Sequence, residues 1–314
     1  MFTRSNKKPK ILVTGSSGML GSAVITALQK EFDPYGMVRS DDRRSHYFQC
    51  DITQRSETIK HIERVNPQAV IHCAAMTDVD ACEHDRQRAL QVNFEGTKNV
   101  VDGSRHVNAL MIYISTDFVF NGESREAYRE SSIPHPINVY GESKLMGEFY
   151  VRDQSTKHLI LRTSWLFGEN GNNFMVKVLE RAKRGEKLFI VHDQVGTPTY
   201  ASDLAGAIKH VLTYNQDGDK KEGLNAVYHA TNRGTASRYD IAKTLLKMCD
   251  LTQVEIQPID STELTNLAKR PQNSALNNSR FEQTFRLAFR SWQEALQEYV
   301  IRLGYKHAKT FHNT

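Results

Sequence analysis

Tyr140 and Lys144 stand four residues apart in the run Tyr140-Gly141-Glu142-Ser143-Lys144. On a helix that spacing puts one side chain above the other on a single face. A lysine held there can lower the proton affinity of the phenol, which free in water titrates near roughly 10, and can orient a nicotinamide ribose. Such a pair can donate a proton to a carbonyl oxygen while hydride arrives at the carbonyl carbon. Spacing alone does not single out this pair. Tyr239/Lys243 and Tyr305/Lys309 repeat it, and an exposed helix pair is the bland reading of each. Context has to choose among the three.

A cofactor site is the first part of that context. Ile11-Leu12-Val13-Thr14 runs into Gly15-Ser16-Ser17-Gly18-Met19-Leu20-Gly21 and then into a helical pattern. Glycines at a strand-to-helix turn let the backbone approach a pyrophosphate, whose charge rests at the helix N-terminus. The next strand ends at Val38-Arg39-Ser40-Asp41-Asp42. An arginine there can pair with the 2′-phosphate of NADPH, whereas an acidic residue binds the ribose hydroxyls of NADH. Arg39 and Ser40 favour NADPH, and Asp41 and Asp42 keep NADH possible. Asp51 and Ile52 follow a further short strand, where an adenine would lie. Ala74 and Ala75 follow the strand after that, small enough to let a dinucleotide cross the strand ends or simply to pack helix on sheet.

These residues need a frame. Short apolar runs rich in β-branched residues lie at 11–14, 37–39, 69–73, 110–115 and 159–162, with helical spacing between them, as at 19–29, 56–65 and 89–105. Strands alternating with helices predict right-handed βαβ units, hence an α/β fold: a Rossmann-like, doubly wound parallel sheet. Beyond Gly168 the pattern becomes irregular. That predicts a smaller, interleaved C-terminal lobe: residues 1–168 mainly the nucleotide-binding part, and 169–314 mainly a substrate-binding lobe with segments returning to the sheet. From Lys306 onward the chain reads as a polar tail.

Bulk properties exclude several classes. With 314 residues, 39% hydrophobic and 25% charged, the chain has the make-up of a globular protein with a substantial core. No apolar run is long enough to span a bilayer, and the basic start lacks a signal-peptide core, so a cytoplasmic protein is expected. The four cysteines show no Cys-x-x-Cys pair, and the twelve histidines form no ligand motif, so no metal is expected. A net charge of +5 suits anionic small ligands and is too weak and scattered for nucleic acid.

The later motifs are more specific than the glycine turn. They are Cys73-Ala74-Ala75-Met76-Thr77-Asp78-Val79-Asp80, Ile114-Ser115-Thr116-Asp117-Phe118-Val119-Phe120, Asn138-Val139-Tyr140-Gly141-Glu142-Ser143-Lys144-Leu145 and Arg162-Thr163-Ser164-Trp165-Leu166-Phe167-Gly168. Asn172-Asn173-Phe174, Asp193-Gln194-Val195-Gly196-Thr197-Pro198-Thr199 and Arg270-Pro271-Gln272-Asn273-Ser274-Ala275-Leu276 follow. Together they resemble the extended short-chain dehydrogenase/reductases and, more narrowly, the dTDP-4-dehydrorhamnose reductases, over nearly the whole chain. The resemblance implies a catalytic trio of Thr116, Tyr140 and Lys144, with Thr116 steadying the developing alkoxide. Neither Tyr239 nor Tyr305 follows a strand carrying such a hydroxyl. It further implies substrate contacts from Thr77, Val79, Asp117, Phe118, Trp165, Asn173 and Arg270. Trp165 would offer a flat wall to a deoxysugar, and Arg270 could meet a diphosphate or a structural ion-pair partner. The partner is then a small nucleotide sugar, and the protein a monomer or homodimer.

Some residues depart from the family's pattern. Phe118 stands where tyrosine is frequent, Asp78 where a small residue is common, and Asn277 and Arg280 where an Asp and a Lys are more usual. They leave the exact sugar open, since a buried polar group without its partner discriminates strongly among substrates. Two rival readings follow: reduction of another 4-keto-deoxysugar nucleotide, and a non-catalytic subunit resembling the methionine adenosyltransferase β subunit, which has the same architecture.

Overall fold

The computed structural model describes residues 7–40, 42, 44–214, 223–265 and 267–305. Asp41, Lys309, the polar tail and the basic start up to Asn6 fall outside them. The first half runs β1 (Lys10–Thr14), α1 (Met19–Leu28), β2 (Asp33–Val38), β3 (Tyr47–Gln49), α2 (Arg55–Val65), β4 (Ala69–His72), α3 (Val79–His84) and α4 (Arg86–Leu90). A π-helical turn (Gln91–Glu95) leads into α5 (Gly96–His106), then β5 (Leu110–Thr116), α6 (Val139–Gln154) and β6 (His158–Thr163). The second half has β7 (Leu166–Phe167), α7 (Phe174–Lys183), β8 (Leu188–Val191), β9 (Val195–Gly196), β10 (Thr199–Tyr200), α8 (Ala201–Tyr214) and β11 (Ala226–His229). It closes with β12 (Ala236–Ser237), α9 (Arg238–Met248), β13 (Ile256–Ile259), α10 (Ser279–Phe285) and α11 (Trp292–Arg302).

Seven strands pair in the order β11-β6-β5-β4-β1-β2-β3, every neighbouring pair parallel. Consecutive residues of β1 serve opposite faces, as the two-residue period of a strand requires. Ile11 and Val13 join Val24 and Leu28 of α1 and Leu204 and Ile208 of α8, while Leu12 joins Ile62 of α2 and Val100 of α5. Both faces are therefore covered, which is why these strands read as unbroken apolar runs. The strand order reverses between β1 and β4, so a crevice opens beyond their carboxyl ends, where open α/β sheets take ligands. From the second half, β11 joins this sheet as its edge strand, and α8 and α10 pack on it. A separate core gathers Phe167, Val178, Leu188, Tyr200, Leu245, Trp292 and Leu296 from α7, α9, α11 and the short strands.

Two elements differ from the sequence reading, each for a local reason. The second strand begins at Asp33, four residues before 37, although it contains Pro34 and Gly36. Asp33 N–H bonds the Pro9 carbonyl on the β1 side (2.9 Å) and Gly36 N–H bonds His46 on the β3 side (2.8 Å). Pro34, of the same parity as Gly36, faces the β3 side before β3 begins, where a missing N–H costs nothing. The helix expected at 89–105 is α4 and α5 joined by the π-helical turn.

Candidate active site

A cleft of about 900 Å³ lies over the carboxyl ends of the strands. At the β1–α1 turn Gly15 has φ +66°, and a Cβ there would stand 2.7 Å from the Ala74 backbone nitrogen. The N-cap of α1 is Gly18, which offers no side chain to the first-turn N–H groups. A bare helix N-terminus beside a turn with no room for side chains fits the pyrophosphate of a dinucleotide. Ser17, Met19, Leu20 and Gly21 line the same end of the cleft, as do Asp51, Ile52, Ala74 and Ala75. Arg39 and Ser40 also line it, exposed just past the end of β2. Asp42 is engaged by Arg44, whose Nε donates to it at 2.9 Å. The Arg39 guanidinium has no partner among the described residues, so this end suits an added phosphate better than bare ribose hydroxyls.

Beneath the turn a buried chain of hydrogen bonds fixes Ala74. The Thr97 hydroxyl donates to the Asn93 carbonyl (2.7 Å), so His72 Nε2 must donate to Thr97 (3.0 Å) and its Nδ1 must accept from Thr14 (2.6 Å). Thr14 Oγ1 in turn accepts from the Ala74 N–H (3.3 Å). Burial pulls His72 down to about 3, which keeps the imidazole neutral and this direction of bonding intact.

Thr116, Tyr140 and Lys144 all line the cleft. Thr116 ends β5 and is buried. Its hydroxyl donates to Asp117 Oδ1 (3.0 Å) and accepts from Phe118 N–H (3.1 Å). Asn138 caps α6, accepting from Gly141 N–H (2.8 Å) and donating to the Lys269 carbonyl (2.8 Å), and so sets where Tyr140 emerges. Asn93, inside the π-helical turn, accepts from Met76 N–H (2.7 Å) and donates to Ser143 Oγ (3.0 Å). One side chain thus ties the loop after β4 to the helix that carries Tyr140.

The electrostatics differ from expectation at one point. Burial raises the Tyr140 phenol above its ordinary value, opposed by a hydrogen bond with Thr116 and assisted by the nearby Asp117. Lys144 does not supply the lowering: its ammonium lies 4.0 Å from the centre of the Tyr113 ring. Burial acts on the lysine as well, pulling it down to about 7 against the opposing charge of Glu148. Glu148 lies one helical turn beyond Lys144, in a buried bidentate pair with Arg162 (2.8 and 2.7 Å) that also accepts from Ser115 (2.5 Å). Asp117 is pushed up to about 6 by burial, restrained by hydroxyls of Ser274, Ser164 and Thr116. A neutral phenol, a partly charged lysine and a hydroxyl lining one cleft are the groups that can stabilise a developing alkoxide.

The remaining predicted residues divide. Thr77, Val79, Asp117, Phe118 and Trp165 line the cleft, with Phe118 edge-on to Tyr140 at 6.0 Å between ring centres. Trp165 has φ +47°, an unusual conformation for a bulky residue, of the kind concentrated at functional sites. Gly196 lies against its indole: a Cβ at 196 would stand 2.5 Å from Trp165 Cε2. Gly196→Ala is therefore expected to push the indole aside, with a stability loss of about 1–3 kcal/mol in urea denaturation and a raised KM for substrate. A wild-type KM would show that the wall is not the indole.

Asn173 and Arg270 also line the cleft, but their polar groups are engaged. Asn173 accepts from Met175 and Val176 N–H (3.0 and 3.2 Å) and donates to the Gly168 carbonyl (2.9 Å), the bonding of a cap for α7. An Asn before an apolar helical run is a cap signal that the motif reading passed over. Arg270 makes a bidentate pair with Asp80 (3.2 and 2.7 Å), the ion pair that the sequence reading kept open beside a diphosphate contact. Asp78 spends its carboxylate capping α3 through Ala81 N–H (2.9 Å). Asn277, Arg280 and Tyr239 are not among the residues lining the cleft. Arg238 and Lys177 do line it, and sequence reasoning missed both. No spacing marks Arg238, which faces the site only because α9 starts there.

Sheet, glycine turn and tyrosine–lysine helix define the extended short-chain dehydrogenase/reductase class. Within that class the chain belongs to the family of the RmlD substrate binding domain, whose model matches residues 9–304. It is 33% identical over 293 residues to a dTDP-4-dehydrorhamnose reductase of Aggregatibacter actinomycetemcomitans, covering 92% of this chain and 97% of the relative. It is 32% identical to a probable dTDP-4,6-dihydroxy-2-methyloxan-3-one 4-ketoreductase of Streptomyces antibioticus, covering 91% and 93%. A solved dTDP-4-dehydrorhamnose reductase of Bacillus anthracis, in complex with NADP, superposes with TM-score 0.85 at 34% identity over 94% of this chain and 99% of that one. Among the described residues no helix is long and apolar enough to cross a membrane.

Proposed function

We propose that this protein reduces the C4 keto group of a nucleotide-linked 6-deoxyhexose with NADPH, taking dTDP-4-dehydro-L-rhamnose to dTDP-L-rhamnose. The observation that carries the reading is one cleft lined together by the glycine turn, by Thr116, Tyr140 and Lys144, and by Trp165. Bound NADPH supplies the hydride. The N-terminus of α1 and Arg39 hold the nucleotide phosphates, and Ala74 and Ala75 leave it room. Tyr140 gives its proton to the carbonyl oxygen as charge develops there, and the Thr116 hydroxyl, turned from Asp117, donates a second hydrogen bond to that oxygen. Lys144 orients the ribose and adds positive charge. Thr77, Val79, Phe118 and Trp165 shape the sugar pocket, with Asp117 beneath. Residues 1–168 mainly bind the cofactor, and 169–314 mainly form the substrate lobe, apart from α8, β11 and α10. We place the enzyme in the cytoplasm as a monomer or homodimer.

The test is oxidation of NADPH, followed by absorbance, with dTDP-4-dehydrorhamnose generated in situ and the product identified by NMR. Turnover to dTDP-L-rhamnose supports the reading, and binding of NADPH without turnover sinks it. The pH profile carries a second expectation. Lys144 ionises at about 7 in place of 10.5, so its charge is complete well below that value and is lost as pH rises through it. The kcat/KM of the free enzyme should therefore fall as pH rises through about 7. A flat profile to pH 9 would mean that the lysine's charge is not required.

A further inference from the structure

We propose that Arg238 holds the diphosphate of the nucleotide sugar, an inference that rests on the reading above. Arg238 opens α9 and faces the cleft. Its guanidinium carbon lies 3.8 Å from the centre of the Trp165 ring and 5.0 Å from that of Phe174. Among the described residues it has neither a hydrogen bond nor a carboxylate within ion-pair distance. The nearby acid on its own helix is unavailable: Asp240 is consumed by the cap, accepting from Ser237 Oγ (2.6 Å) and N–H (3.0 Å). That same cap fixes the backbone from which Arg238 projects.

The other arginines of the cleft are accounted for. Arg270 is neutralised by Asp80, Arg88 reaches Asp51 at 3.6 Å, and Arg39 stands at the cofactor end. The sugar end is thus left with one half-buried cation outside any ion pair, flanked by the exposed Lys177. The one carboxylate whose charge acts on it, Asp117, is beyond ion-pair distance and accepts from the Thr116 and Ser164 hydroxyls. A charge withdrawn from water without a partner is costly, and a ligand that brings the opposite charge recovers that cost. Stacking on Trp165 covers one face of the guanidinium but leaves its in-plane N–H groups free, the fork that matches phosphate oxygens. In the substrate the diphosphate hangs from C1, across the ring from the reacting C4. A sugar laid on the Trp165 wall with C4 at Tyr140 therefore directs its diphosphate away from the catalytic trio, and the guanidinium on that wall is Arg238.

The experiment measures binding of dTDP and of thymidine to the NADPH-saturated protein by calorimetry, for wild type, Arg238→Gln, Arg238→Lys and Arg270→Gln. Arg238→Gln is expected to weaken dTDP binding about 10–100-fold, with thymidine binding unchanged, since a charge-assisted bidentate contact is lost. Arg238→Lys should recover part of the affinity, and in turnover assays Arg238→Gln should raise KM for the nucleotide sugar far more than it lowers kcat. Equal binding of dTDP by wild type and Arg238→Gln would overturn the assignment. So would equal weakening of thymidine and dTDP, which would make Arg238 a prop for the indole, or a larger loss in Arg270→Gln. Wild-type protein that binds dTDP through Arg238 but does not reduce the keto sugar would sink the proposed reaction while leaving the anion site standing.

Discussion

Tyr140→Phe is expected to lower kcat about 10²–10⁴-fold, the usual worth of a positioned proton donor, while KM and NADPH affinity stay within a few-fold of wild type. The substitution removes one oxygen and leaves the ring, so the edge-on contact with Phe118 survives. The helix start is untouched, because Asn138 and Ser143 bond backbone groups and not the phenol. What disappears is the donor whose proton burial holds in place at any working pH. A residual rate is expected from hydride delivery with Thr116 as the remaining hydrogen-bond donor. Steady-state NADPH oxidation beside a fluorescence titration of NADPH separates the two parameters. Wild-type turnover in the variant would remove Tyr140 from the chemistry.

Glu148→Gln should carry the largest cost in stability. Its carboxylate and the Arg162 guanidinium are almost wholly shielded from water and bond each other through two contacts. Among the described residues Arg162 Nη1 has no hydrogen-bond partner even with Glu148 in place. Removing one member of such a pair costs about 3–5 kcal/mol, because the other stays buried and uncompensated. For a chain of this size that is a melting-point drop on the order of 5–10 °C. The double variant Glu148→Met/Arg162→Met should recover much of the loss, since neither charge is then buried. Glu148 also opposes the burial that strips Lys144 of its proton. In Glu148→Gln the alkaline fall in kcat/KM should accordingly begin at lower pH. Thermal melts and pH profiles of the three proteins decide both points, and an unshifted melt would show that water reaches the pair.

The site was largely legible in the sequence because its residues cluster just past strand ends. Gly15 follows β1, Arg39 follows β2, Ala74 follows β4 and Thr116 closes β5, so finding the strands locates the chemistry. What escaped were partnerships made across long stretches of chain. Nothing local in Arg270 says that Asp80, 190 residues away, has claimed it. Nothing in Glu148 announces its pairing with Arg162 on the very next strand, and Arg238 belongs to no motif at all. Pro34 misled about where β2 begins, because its cost depends on which neighbour its nitrogen faces, a fact of pairing and not of composition. The acidity of the tyrosine was misjudged for a related reason: spacing predicts that Lys144 is near, but only the surroundings show that burial raises the phenol and lowers the lysine.

The π-helical turn at Gln91–Glu95 has a consequence for how this protein can change. Gly96 N–H reaches back to the Gln91 carbonyl, one residue further than in an α-helix, so the segment holds one residue more than a regular helix there would need. Upstream of the surplus, α4 keeps its own phase, and downstream Val100 and Val101 face the sheet. Deleting one residue would regularise the hydrogen bonds but rotate one half against the other by about 100°. Asn93 could then no longer reach both Met76 and Ser143. A one-residue deletion at this point would therefore cost the tie between the loop after β4 and the helix that carries Tyr140.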